Sequence, residues 1–199
     1  MAGLAPGASV LALPVCTPAG ATARDRCVLY DLLRGADRAW ERESQVVNVS
    51  LVGPANPLLE RALARLDELG VLVVASAGNE ATADPRYPAA YPSVIGVGAT
   101  DRDRRRYARS NTGISAELFA PGVEVLSAVP GDSFAFGSGT SFAAAHVTGA
   151  LGVLIGAGVD PAAARTALFQ QAHESAREGV ALLPPVCDVL ARLGRSCPP

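Results

Sequence analysis

The sequence contains no lysine: all 17 of its basic residues are arginine. Schiff-base chemistry and a serine–lysine dyad are therefore excluded, because both need an amine side chain. Histidine is nearly as scarce, with two residues, His146 and His173, both in the last third of the chain. The four cysteines form no CxxC, and with so little histidine beside them no metal-binding spacing emerges. No cluster of acidic side chains has the spacing of a calcium loop, so neither a metal site nor a cofactor is expected. No apolar run is long enough to cross a bilayer, and no membrane insertion is expected. No basic-then-apolar leader precedes MAGLAPGASV, so for an exported protein the targeting segment is expected outside these residues. Excess positive charge is lacking too: a formal net charge of -2 gives no sequence-independent pull toward nucleic acid. The five arginines within DRDRRRYARS, residues 101–110, are read as a solvated loop after a strand.

What remains is 199 residues, 49% of them hydrophobic, enough for one well-buried α/β domain. Short apolar runs alternate with longer amphipathic ones: ASVLALPV, CVLYDLLRGADRAWER, QVVNVSLV, NPLLERALARLDELG, VLVVASAGN and later SVIGVGATD. The order reads strand, helix, strand, helix, strand. The strand candidates do not alternate with polar residues, as expected where helices cover both faces of a parallel sheet. In the segment from Asn56, apolar Leu58, Leu59, Ala62, Leu63, Leu66 and Leu69 recur at helical spacing, and Gly70 stops the run. A further apolar helix is predicted from about Phe142 to Ile155. Asp160-Pro161 then caps and opens another that runs through Phe169.

The cysteines fall in two close pairs, Cys16 with Cys27 and Cys187 with Cys197, each able to close a short loop rich in turn-forming residues. Two local disulfides are expected, and with them an oxidising compartment, secreted or periplasmic.

Two serines share a similar frame, and neither completes the GxSxG of a hydrolase elbow. Ser133 is followed by Phe134, Ala135, Phe136 and Gly137, too short a stretch for a helix, and is read as a loop residue. Ser141 opens a helix whose unpaired first-turn N–H groups and positive dipole end favour negative charge on a substrate oxygen. Asn79, in Ala75-Ser76-Ala77-Gly78-Asn79-Glu80, follows a buried strand at the end where ligands sit in open parallel sheets. Its side chain is a neutral, well-directed donor, although Gly-Asn after a strand is ordinarily only a turn.

Together these stretches resemble the subtilisin-like serine peptidases, the subtilases. GTSFAAAHVTG, residues 139–149, is similar to the family's nucleophile motif, and ASAGNEA, 75–81, to its oxyanion-asparagine segment. VVNVSLVG, YPAAYPSVIGVGATD, SNTG and APGVEVLS fall in the family's order, and the likeness runs from about Gly3 to Ala172. The resemblance implies a three-layer α/β fold with a mostly parallel sheet, and a single partial catalytic domain with 173–199 as an extension. It implies a peptide or protein substrate, Ser141 as nucleophile and Asn79 as oxyanion donor with the Ser141 N–H. Ser50, Leu51, Val52, Gly53, Ala75, Ser76, Ala77 and Gly78 would flank the substrate, and Tyr87-Pro88 would be a cis-proline turn. Phe142 stands where the family often has methionine, Ala145 where it has proline, and Val52 and Ala89 where glycine is common.

In this family aspartate, histidine and serine follow one another along the chain, yet no histidine precedes Ser141. His146 lies five residues further along the same helix, turned by about 140°, and is read as a core hydrogen-bonding residue. His173 is read as exposed and away from the cleft, and no aspartate stands in an Asp-Thr-Gly or Asp-Ser-Gly setting. GLAPGASVLALPV, 3–15, resembles a strand the family reaches only after its histidine helix. The segment carrying aspartate and histidine is therefore expected upstream and absent here. Three functions follow: a serine endopeptidase inactive as this isolated chain, a peptide-binding module without catalysis, and an esterase built on Ser133.

Overall fold

The computed structural model describes residues 3–17, 26–176 and 180–197. Helix formation follows local capping chemistry. Asn56 Oδ1 accepts from the N–H groups of Leu58 (3.0 Å) and Leu59 (3.2 Å), and Pro57 occupies the first helical position. The resulting helix α2 (Pro57–Glu68) turns Leu63 and Leu66 inward and ends at Gly70 in the left-handed region, φ +82°. Asp160 repeats the device for α4 (Pro161–Glu174), which continues past the expected end at Phe169. Helix α1 (Leu29–Glu41) packs on α2, and α3 (Thr140–Gly156) and α5 (Val186–Arg192) complete the set.

Four parallel strands, β3 (Val46–Val49), β4 (Leu72–Ser76), β5 (Val94–Thr100) and β6 (Leu118–Pro121), lie side by side in chain order. Their side chains divide between two cores. Leu72, Val74, Ile95, Val97 and Leu118 meet Val147, Leu151 and Leu154 of α3 on one face. Val73, Ala75 and Val94 meet Leu63 and Leu66 of α2 on the other. This is the expected three-layer α/β arrangement. It explains why the strands read as unbroken apolar runs: every residue of β4 and β5 is buried.

Residues 8–15, expected as a strand, form none. Among the described residues they have no ladder partner, and Val10 is 90% exposed. An apolar run becomes a strand only when a neighbour takes up its N–H and C=O groups. The segment is anchored elsewhere: Leu4 packs on Gly149 of α3 and Val15 on Gly35 of α1. It leads into β1 (Cys16–Thr17), which pairs antiparallel with β2 (Arg26–Cys27). Both expected disulfides form, Cys16–Cys27 with Cα atoms 4.1 Å apart and Cys187–Cys197 with 5.1 Å. Most of the first loop, 18–25, lies outside the described residues.

At the other edge, Phe119 donates to Ala181 O (2.8 Å) and accepts from Leu183 N (2.7 Å), so 181–183 extend the sheet beside β6. Val189 and Leu190 of α5 join the α3-side core. The antiparallel hairpin of β7 (Val125–Val129) and β8 (Ser133–Gly137) stands outside the main sheet. Ser133 therefore opens a strand rather than lying in a loop. The pairing of Val129 with Ser133 across the turn decides this, a contact that a count of residues to the next glycine does not register.

Tyr91, 3% exposed, staples the start of α2: its hydroxyl accepts from Asn56 N (2.8 Å) and donates to Asn56 O (3.0 Å). Burial pushes its pKa up, opposed by the hydrogen bond to Asn56 and helped by Glu60 and Tyr87. A raised acid keeps its proton longer in the folded state. Its contribution is complete below the free tyrosine value of about 10 and declines as pH rises past it, because the unfolded chain ionises first. Tyr91→Phe is expected to cost about 1–2 kcal/mol at neutral pH. The loss of stability between pH 8 and 11 should also become shallower than in the parent, as urea midpoints at the two pH values would show.

Candidate active site

The site is built where α3 begins. Gly139 donates to Gly122 O (2.7 Å), which draws the end of β6 against the helix start. Thr140, fully buried, follows as the first helical residue and ties the helix to the end of β4 twice. Its N–H donates to Asn79 Oδ1 (2.9 Å), and its Oγ1 accepts from Gly78 N (3.1 Å). The first of these bonds fixes a polarity. Only the carbonyl end of the Asn79 amide can accept from an N–H, so Nδ2 is left as a donor. Ser141 comes next, with its N–H unpaired among the described residues. Two donors thus stand at the positive end of a 17-residue helix, a setting that favours an oxyanion. Gly139 eases this approach, since a Cβ there would sit 3.3 Å from Asn79 Nδ2 and the amide would have to give by a few tenths of an ångström.

The loop carrying Asn79 is also fixed by Asn111, which is fully buried. Asn111 Oδ1 accepts from Glu80 N (2.9 Å) and Thr82 N (3.2 Å), and Nδ2 donates to Ala77 O (2.9 Å) and Glu80 Oε2 (2.6 Å). Its own N–H donates to Gly78 O (3.0 Å). Gly78 adopts φ +104°, and any Cβ there would run into the Asn111 amide and the Glu80 carboxylate. Only glycine fits.

The remaining candidates surround this centre. Ala75 and Ser76 end β4, and Ala77 is fully buried with its N–H donated to Val97 O (2.9 Å). Val52 packs against Gly78, its Cγ1 3.2 Å from where a Cβ would stand, and so brings the 50–53 segment to the site. Gly53 spends both backbone groups on Tyr87 (2.8 and 3.1 Å), next to the cis Tyr87–Pro88 bond that the resemblance implies. Among the described residues, Leu51 and Val52 make no backbone hydrogen bond, so the open part of this edge is shorter than 50–53. The Phe142 ring packs on Gly137 at the end of β8.

Neither histidine is hydrogen-bonded to Ser141. His146 Nδ1 pairs with Phe142 O of its own helix (2.9 Å), half-buried. His173 lies within the last turn of α4, exposed, its ring centre 6.3 Å from that of Phe169. Ser133 is exposed on the hairpin, and no helix begins beside it. Thr140 and Asn111 carried no role in the sequence reading, although both lie inside the quoted motifs. For Thr140 the available signal was a polar residue between glycine and an apolar run; Asn111, between Ser110 and Thr112, had none.

A parallel three-layer α/β fold with a serine at a helix N-terminus and an asparagine amide aimed beside it defines a scaffold suited to acyl transfer. The chain belongs to the subtilase family of serine peptidases: the sequence profile of that family matches residues 1–182. Subtilisin BL of Lederbergia lenta is 37% identical over 149 residues, covering 74% of this chain and 54% of that protein. The major intracellular serine protease of Bacillus subtilis (strain 168) is 37% identical over 161 residues, with 77% and 49% covered. Among solved structures, the self-cleaved protease domain of PatA matches with TM-score 0.76 and 33% identity, over 85% of this chain and 69% of that one. The chain spans about half the length of these two sequence relatives.

Proposed function

We propose that this chain carries the nucleophile and the oxyanion site of a serine endopeptidase. Ser141 Oγ would attack a peptide carbonyl and form an acyl-enzyme, releasing the amine half of the substrate; water would then release the acid half. The carbonyl oxygen, negative in the tetrahedral intermediate, would take hydrogen bonds from Asn79 Nδ2 and Ser141 N–H. The observation that carries the reading is the Thr140 N–H bond to Asn79 Oδ1, because it orients the amide with its donor end free. Val52 would offer its backbone to an extended peptide, beside Ala75 to Gly78.

Attack requires a base within hydrogen-bond reach of Ser141, and neither histidine of these 199 residues supplies one by the bonds it makes. The aspartate and histidine are therefore proposed to come from a segment other than these residues, with 3–172 as part of one catalytic domain and 173–199 as its extension. The isolated chain would then turn over very slowly. A non-catalytic peptide-binding role is the second reading, favoured by the same missing base together with the open backbone at Val52. The two disulfides support an oxidising compartment, secreted or periplasmic.

The deciding experiment is fluorophosphonate labelling with the modified residue mapped by peptide mass spectrometry. It is run on the chain alone and on the chain joined to a segment bearing Asp-Thr-Gly and His-Gly-Thr. Labelling at Ser141 in the joined form, and far less in the chain alone, is expected. No labelling in either form, with a peptide still bound, would establish the binding role instead, and labelling at Ser133 would move the nucleophile.

A further inference from the structure

We infer that Asn111 is the positioning residue of the oxyanion site: it holds the backbone of the Asn79 loop while Thr140 holds it from α3. The inference rests on the proposed role of Asn79. Asn111 is fully buried, and both ends of its amide are spent on one short stretch of backbone and on the carboxylate within it. Its partners flank Asn79 on both sides, with Ala77 and Gly78 before it and Glu80 and Thr82 after it. Asn79 has no bond to Asn111. Its side chain is fixed by Thr140, so the two anchors act on different parts of the loop: Thr140 turns the amide, and Asn111 sets where the amide sits.

The bond between Asn111 Nδ2 and Glu80 Oε2 adds a charge to this arrangement. At 2.6 Å it is a short, charge-assisted bond, and it keeps the Glu80 carboxylate on the loop side facing Asn111. Aspartate at 111 would keep the acceptor for Glu80 N and Thr82 N. It would also lose both donor bonds and place a second carboxylate against Glu80. A Glu80→Gln change in the same chain restores a donor between them.

The test has two readouts that do not need turnover. Asn111→Ala is expected to speed amide hydrogen exchange at Glu80 and Thr82 by about tenfold or more relative to β4 and β5 amides, a local opening. It should also shift the Asn79 side-chain amide signal. Asn111→Asp should shift that signal as well, and Asn111→Asp with Glu80→Gln should return it toward the parent position. Unchanged exchange at Glu80 and Thr82 in Asn111→Ala overturns the inference, whatever the activity. In the joined form, without label, Asn111→Ala is expected to lower kcat by about 10–10²-fold with KM little changed, as a small displacement of a catalytic donor does. That loss should vanish in an Asn79→Ala background. A loss that persists undiminished there means Asn111 acts on the fold at large, and the inference fails. A joined form with no turnover at all would sink the peptidase reading, while the exchange data would still decide what Asn111 does.

Discussion

Asn79→Ala is expected to lower kcat by about 10²–10³-fold, with KM nearly unchanged, in a form of the protein whose Ser141 has its base. Loss of the oxyanion asparagine of a subtilisin has an effect of this size. The geometry supplies the reason to expect it here. Thr140 N–H occupies Asn79 Oδ1, so the Nδ2 donor is held in place before substrate arrives and costs no reorganisation when charge develops. A donor that acts on the oxyanion more than on the neutral carbonyl shows in kcat rather than KM. Steady-state kinetics on a peptide ester would check it. A variant that raised KM alone would assign Asn79 to ground-state binding.

The second large effect falls on stability. Leu151→Ala is expected to cost about 2–5 kcal/mol, read from the denaturant midpoint, against a total of about 5–15 kcal/mol for a domain. Leu151 is fully buried on α3, in the core that joins that helix to β3 through β6. Helix propensity cannot cause the loss, because alanine is the better helix former. The cause is a cavity where the helix crosses the sheet. The same helix carries Ser141 at its start, so the anchor that holds the fold also holds the site. A cost below about 1 kcal/mol would mean that the neighbouring side chains collapse into the space.

Legibility in the sequence followed the range of each interaction. Asn56-Pro57 and Asp160-Pro161 could be read as helix starts because a cap and its N–H partners lie within three residues. The unbroken apolar runs of β4 and β5 reported two-sided burial directly. Among helices, α4 runs on past Phe169 to Glu174 and α5 went unread, but the larger failures are strands. ASVLALPV has the composition of one and no partner among the described residues, whereas Leu118–Pro121, four residues ending in proline, becomes one because β5 pairs with it. The hairpin of Val125–Val129 and Ser133–Gly137 went unread for the same reason. Pairing belongs to the neighbour as much as to the run.

The candidate site divides along the same line. Ser141 and Asn79 were named from motifs, each a stretch of a few residues whose helix start or strand end the local sequence encodes. The sequence by itself also determined that no lysine chemistry is available and that His146 turns away from Ser141, since helix periodicity alone rotates it. Only the tertiary structure decided that Thr140 orients the Asn79 amide across 61 residues, and that Asn111 reaches back 34 residues to Ala77. The structure also spends Gly53 on Tyr87 and, among the described residues, leaves the Val52 backbone without a hydrogen bond. A hydrogen bond between residues that distant has no periodicity to betray it, because its existence depends on where the sheet and α3 bring the two segments together.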